Sequence, residues 1–281
     1  MNLIKAIEDT RNIASSVVLK CLDSINGATE KEIRDKVLVE LSKYDQIFPL
    51  GWYDPPYAGV AVLFGNKTYD RLKFESLRDP AYLANDSHIY NKESVGILYL
   101  SPVDRQTGII GDFGLTIYNG NNETIRKHIR HCYDLLFEVA NYANVGMSFS
   151  SLYDYAIKTF IDKGHKKIAW MSTTIWEETG DNKRKINFGH TVPGSYGDLN
   201  LGNSFDEIKE SIRVNRLFIE DGENFMIPET CGFTLEFRLT DEGGSMPNTH
   251  FHLMIVFENG ERKILSNFNE IFIKMGMDYM L

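Results

Sequence analysis

The strongest constraint on this chain is that one arrangement occurs twice along it. Residues 3 to 24 carry apolar positions at helical spacing, Ile4, Ile7, Ile13, Val17 and Leu22. After "NGA" a second helix opens at Thr29, which forms a capping box with Glu32 and runs on through Ile33, Val37 and Leu41. The pattern returns later. "ETIRKHIRHCYDLLFEVANYA" reads as a long helix, "NVGMSFSSL" as a turn and cap, and "YDYAIKTFIDKG" as a helix stopped by Gly164. Setting Gly27 against Gly146 superposes the two units at an offset of 119 residues (146 − 27), a weak internal duplication.

Each helical pair precedes strand-like runs. The first is followed by "GVAVLFGN" (59–66), "VGILYLSPV" (95–103) and "GIIGDFGLTIYNG" (108–120). The second is followed by "KINFGHTVPG", "RLFIE", "CGFTLEFRLT" (231–240) and "HFHLMIVFENGERKIL" (250–265), whose "ENGER" is a hairpin turn. The expectation is an α+β fold, one domain over 1–281 built from two similar halves, about 1–121 and 122–281. A site would lie between the halves, where concave surfaces meet.

With 43% hydrophobic and 25% charged residues, the 281-residue chain can bury a full core. A net charge of −9 argues against nucleic-acid binding, which needs clustered cations; Lys163–Lys167 and Lys183–Lys185 are short and read as solvated surface. Cys21, Cys132 and Cys231 lie far apart with no CxxC pair, fitting neither a disulfide framework nor a thiolate zinc site. Glu8 and Asp9 interrupt the N-terminal apolar stretch, and nowhere do about 18 apolar residues run together. Neither secretion nor a membrane is indicated, and a reducing cytoplasm is the expected location.

Three strands and one loop carry the residues of interest. Asp112 sits among apolar and small residues; a buried carboxylate there needs a cation, a metal or several donors, while an acid in a tight turn is the plain alternative. In "CGFTLEFRLT", Phe233, Leu235, Phe237 and Leu239 face one way, and Thr234, Glu236, Arg238 and Thr240 the other. That polar face suits either a site or a solvated surface. His250 and His252 share one face of the last strand pair, where they could ligate an ion or meet solvent. His190, after Gly189, is either a metal ligand presented by a tight backbone or a polar loop residue.

In their order, "GATEKEI", "LYLSPV…GIIGDFGLTIYNG", "FGHTVPG", "GFTLEFRL" and "FHLMIVFENGERKIL" resemble the methionine aminopeptidase and Xaa-Pro aminopeptidase (creatinase-like, peptidase M24) family over nearly the whole chain. The resemblance implies the pita-bread fold with two pseudo-symmetric halves. It also implies two divalent metals held by two Asp, one His and two Glu. Asp112 matches the second Asp, His190 the His and Glu236 the first Glu. The first Asp falls on Tyr99, and the last Glu on Phe251 or His252 depending on how the final hairpin is counted. The substrate-side histidine expected near "AGVAVLFGN" has no counterpart.

These departures remove one metal site and spare the other. The expected centre is mononuclear, Asp112, His190, Glu236 and His252 around one Fe, Mn or Zn ion, with Glu236 and His190 carrying catalysis. The first function this implies is a metal-dependent hydrolase of a small C–N-bonded metabolite or short peptide, distinct from a standard methionine aminopeptidase. A mononuclear Fe(II) oxidative or lyase enzyme and a catalytically inactive binding module are the alternatives. Besides the substrate no partner is implied, neither nucleic acid nor membrane, with a homodimer left open.

Other residues take plainer readings. "GDFG" lacks the accompanying kinase motifs. His128 and His131 read as packed or surface helix positions, His165 as exposed, and Cys231 as core. "GWYDPPY" (51–57) reads as a rigid loop able to wall a pocket.

Overall fold

A computed structural model describes residues 2–74, 76–165, 168–169, 173–174, 185–197, 199–241 and 244–281. Residues 166–167 and 183–184 of the two basic clusters lie outside that range. The first half opens with α1 (Leu3–Cys21), capped by the Asn2 side chain, and α2 (Glu30–Leu41), whose Thr29–Glu32 capping box is present as expected. Then come β1 (Val60–Gly65), β2 (Val95–Leu100) and β3 (Phe113–Ile117), an antiparallel sheet in the order β1-β2-β3. Asp112 therefore stands one residue before its strand.

The second half repeats the pattern with α3 (Glu123–Tyr142) and α4 (Phe149–Asp162). The latter begins earlier than its periodicity suggests, because the Ser148 side chain accepts the Ser151 N–H and starts the helix there. Strands β4 (Ile168–Ala169), β8 (Cys231–Leu239), β9 (Phe251–Glu258) and β10 (Glu261–Leu265) form a sheet in the order β10-β9-β8-β4. β5 (Thr173–Thr174), β6 (Lys185–His190) and β7 (Phe218–Glu220) form another. Two helices were not foreseen: α5 (Phe205–Asn215), although its Ser204–Glu207 capping box is written in the sequence, and α6 (Asn269–Met275).

The duplication extends to individual hydrogen bonds. Gly27 N–H donates to Tyr90 O at 2.9 Å and Tyr90 N–H to Ala28 O at 2.9 Å. In the second half Gly146 N–H donates to Ile227 O at 2.8 Å and Ile227 N–H to Met147 O at 2.9 Å. Both glycines hold positive φ, 82° and 78°, and the residue two positions on, Thr29 or Ser148, caps the next helix. One local device is thus used twice to turn a helix into its partner and pin the turn to a distant strand.

The halves join where β3 passes β9. Thr116 Oγ1 accepts the His250 N–H at 2.7 Å, and Gly114 leaves room for two imidazoles. A Cβ there would lie 2.7 Å from His250 Nε2 and 3.1 Å from His252 Cδ2. Arg11, sent in from α1, locks the junction. Its guanidinium donates to the carbonyls of Asp112, His252 and Ser266 and its Nε–H to the Asn267 side chain, while the group lies over the rings of Phe113 and Phe268. Burial draws the Arg11 pKa down, to about 9, which leaves a cation at neutral pH; the charge of Asp112 opposes the shift.

His165 is buried, against expectation. Its Nδ1 lies 3.0 Å from Thr240 O, and its ring stacks on His131 at 5.2 Å. The chain after α4 turns back under β8 there, a tertiary event that "KGHKK" does not announce. His128, nearby on α3, donates from Nε2 to Pro247 O at 3.0 Å. Burial depresses its pKa from 6.5 to about 4, with His165 and His131 adding repulsion and Asp241 opposing.

Two predictions follow from this packing. Replacing Arg11 with Met strands three buried carbonyls, each worth about 1–3 kcal/mol, so urea titration should show stability lowered by about 3 kcal/mol or more. His128 is neutral in the fold and readily protonated when unfolded, so its contribution is complete above pH 6.5 and is lost as the pH falls towards 4. The slope over that window amounts to about 3 kcal/mol at most. His128→Gln should flatten it, as melting temperatures between pH 4 and 7 would show.

Candidate active site

Each site residue is delivered by a different strand. Asp112 enters β3, His190 ends β6, Glu236 lies in β8, and His252 lies in β9 directly opposite Glu236 in the β8–β9 register. The sequence places Gly189 before His190 because β6 must touch β8: a Cβ at Gly189 would stand 2.1 Å from Thr234 O. Its φ of 141° is also one that side chains rarely adopt. The His190 N–H then donates to Thr234 Oγ1 at 3.0 Å.

His190 Nδ1 lies 2.9 Å from the Thr191 carbonyl, an acceptor only, so Nδ1 carries the hydrogen and Nε2 presents its lone pair. That lone pair looks onto Asp112 Oδ2 at 3.5 Å and Glu236 Oε1 at 3.8 Å. Asp112 is fully buried, and Trp52 Nε1–H donates to its Oδ1 at 2.7 Å. Oδ2 has no hydrogen-bond partner. A buried carboxylate oxygen without a donor, facing an imidazole lone pair and a second carboxylate, is three acceptors meeting with nothing between them.

A cation resolves that conflict. Donors bonded to one ion at about 2.0–2.2 Å stand roughly 3.0–3.5 Å apart. The two separations are at or slightly beyond this, and among the described residues no three His, Cys, Asp or Glu stand placed to hold a metal ion as they are. Asp112, His190 and Glu236 nevertheless fit one divalent ion in donor chemistry, with a contraction of a few tenths of an ångström.

His252, expected as a fourth ligand, stands in the same cluster, with its Nε2 against Glu236 Oε2. Both His250 and His252 turn inward, and His250 stays neutral: burial holds its pKa well below the ordinary value, helped by His252 and Arg238. For Glu236 burial favours the protonated form, but the adjoining His252 outweighs it and brings its pKa to about 2. Glu236 is therefore a carboxylate at neutral pH.

These groups line a cavity of about 60 Å³, room for a few waters or a small substrate group. Its other walls include Trp52 and Tyr53 of the "GWYDPPY" loop, Phe74, Tyr99, Arg216 and Arg238. Glu236 and Arg238 of the polar face of β8 thus line a pocket, and Thr234 on the same face is buried. Arg216 lies over Trp52 at 4.5 Å and Phe218 at 5.2 Å, with its Nε buried and without a partner. Arg216 was not foreseen at the site, Arg238 was placed only on a face that a site or solvent could cover, and Trp52 only in a loop able to wall a pocket. For Arg238 its phase with Glu236 was the available signal, whereas Trp52 and Arg216 reach the site from loops.

The antiparallel sheets, paired helices and internal repeat define the pita-bread α+β fold, so the resemblance seen in the sequence holds in the fold. An Xaa-Pro aminopeptidase from Thermotoga maritima superposes with a TM-score of 0.62 at 15% identity, over 94% of this chain and 60% of its own. A prolidase from Pyrococcus horikoshii gives 0.63 at 15%, over 94% and 61%. A histidine-to-alanine variant of Escherichia coli aminopeptidase P gives 0.63 at 10%, over 98% and 58%. The chain spans about 60% of the length of these structures. No protein-family model and no curated protein sequence matches it. Among the described residues, no helix is long and apolar enough to cross a membrane.

Because Trp52 occupies one oxygen of Asp112, it aims the other at His190. Trp52→Phe should keep the fold and weaken divalent-metal affinity about 10- to 100-fold, the usual effect of losing an outer-shell partner. Metal titration monitored by calorimetry would measure it.

Proposed function

We propose that this protein is a mononuclear metal-dependent hydrolase that cleaves a C–N bond in a short peptide or a small amide-like metabolite. The observation that carries the reading is the convergence of Asp112 Oδ2 and Glu236 Oε1 on His190 Nε2 beside the cavity, with Asp112 Oδ2 buried and without a hydrogen-bond partner among the described residues. Manganese, iron or zinc suits two carboxylates and an imidazole. Such an ion acts as a Lewis acid on a carbonyl and brings the pKa of water towards neutrality. The solved structures of similar fold carry the names of Xaa-Pro aminopeptidase and prolidase, which makes a peptide bond the first substrate to try.

The chain's own residues divide the remaining work. Asp112, His190 and Glu236 hold the ion. Glu236, a carboxylate, would take the proton of the attacking water, and His252, whose Nε2 stands against Glu236 Oε2, would carry it on towards the leaving nitrogen. Arg216, a guanidinium stacked on two rings with an unpartnered Nε, receives an anionic group of the substrate, such as a terminal carboxylate. Tyr99 and His252 supply no carboxylate for a second ion, so one ion is the expected content.

Elemental analysis of protein purified without chelators or a metal-binding tag tests this directly. About one equivalent of Mn, Fe or Zn is expected, absent from Asp112→Ala and His190→Ala. Failure to retain any ion after anaerobic reconstitution would favour a binding module on the same fold.

A further inference from the structure

Tyr99 is a cavity-lining side chain with no part in the scheme so far. It lies in the middle of β2, opposite Ala61 of β1 and Gly114 of β3, so small neighbours on both sides leave its ring free to lie across the sheet face. The ring is then boxed edge-to-face by Tyr53 at 5.7 Å, His250 at 6.2 Å and His252 at 5.3 Å. Such a box holds one rotamer. The residue is 4% exposed, yet its hydroxyl is hydrogen-bonded by no described residue and is absent from the sealed, unpartnered atoms. The hydroxyl therefore opens on the cavity it lines.

A phenol packed this way costs stability unless something uses its polar atom, because burial removes water from the hydroxyl without supplying a partner. The charges of Asp112 and Glu236 act on it as well, and burial is the main reason its pKa stands well above the ordinary value. Hydrogen-bonded by no described residue, it is a donor available to a ligand in the cavity. The guanidiniums of Arg216 and Arg238 also line the cavity, while Trp52 Nε1–H is spent on Asp112 and the His190 Nδ1–H on Thr191.

We propose that the Tyr99 hydroxyl is a catalytic hydrogen-bond donor to the substrate oxygen that gains negative charge as the C–N bond is attacked. This rests on the hydrolase reading above and adds to it the group that stabilises the developing charge. The role is non-covalent, and the proton stays on Tyr99 throughout. It selects substrates with a carbonyl whose oxygen becomes anionic in a tetrahedral species, and it is preorganised because the ring box fixes the hydroxyl before substrate arrives.

Tyr99→Phe removes only the oxygen, which makes no hydrogen bond to a described residue, so the variant should melt with the wild type and hold the same metal content. The probe is a phosphinic pseudodipeptide of two alanines, whose tetrahedral anionic centre mimics the charged species, titrated into the metal-loaded proteins by calorimetry. Tyr99→Phe should bind it about 10²- to 10³-fold more weakly, the range known for deletion of one such donor, while binding of alanine alone is unchanged. Where a dipeptide is turned over, kcat should fall by the same factor with KM little altered. Equal binding of the phosphinic probe by wild type and variant would overturn the role of Tyr99 and leave the hydrolase reading standing. Failure of the metal-loaded wild type to bind the probe would overturn the hydrolase reading itself, and this assignment with it.

Discussion

Arg11 is the interaction on which the arrangement depends. One buried guanidinium takes the carbonyls of Asp112 from the first half and of His252 and Ser266 from the second, and so fixes two site-bearing chain segments relative to each other. A cation is costly to bury, and here the cost is offset by several acceptors, two aromatic faces and the nearby charge of Asp112. The planar fork reaches three carbonyls from both halves and still has its Nε–H for the Asn267 side chain. The site therefore inherits its geometry from a residue that does not line it.

Around that anchor, close backbone approach does the remaining positioning. Gly189 lets β6 meet β8, and Gly114 lets β3 meet the paired histidines of β9. Both are places where a methyl group would displace a neighbour bearing on the site. Trp52 adds the electrostatic part by occupying one oxygen of Asp112, so that the other faces His190 and Glu236 alone. Fold and site are joined by these few contacts, and the helices around them supply the buried apolar mass that holds the strands in register.

The groups gathered at the cavity differ in character. Acceptors gather at Asp112, His190 and Glu236, whereas Tyr99 and Arg216 bring donors and the aromatic rings of Trp52, Tyr53 and Phe74 wall the remainder. A cavity with acceptors on one side and donors on the other suits a ligand lying between a cation and an anion-stabilising wall. This polarity is the physical content of the reading as a hydrolase.

Much of this was legible in residue order. Helical period, the Thr29–Glu32 capping box and the repeated glycine announced two similar halves, because capping and turn chemistry act within a few residues of chain. Strand alternation placed Glu236 and Arg238 on one face, and the motif order singled out Asp112 and His190. What alternation could not decide was whether that face meets solvent or a pocket, since a period of two says which residues share a side and nothing about what covers it. The β8–β9 register settled that His252 meets Glu236, and the turn beneath β8 buried His165. Trp52, Arg216 and Arg11 reach their partners across 60 residues or more, or from loops with no period at all. The sequence by itself determined the local elements and the chemical types available to the site. Only the tertiary structure decided which of them meet, because contacts between distant segments depend on packing that no local pattern encodes.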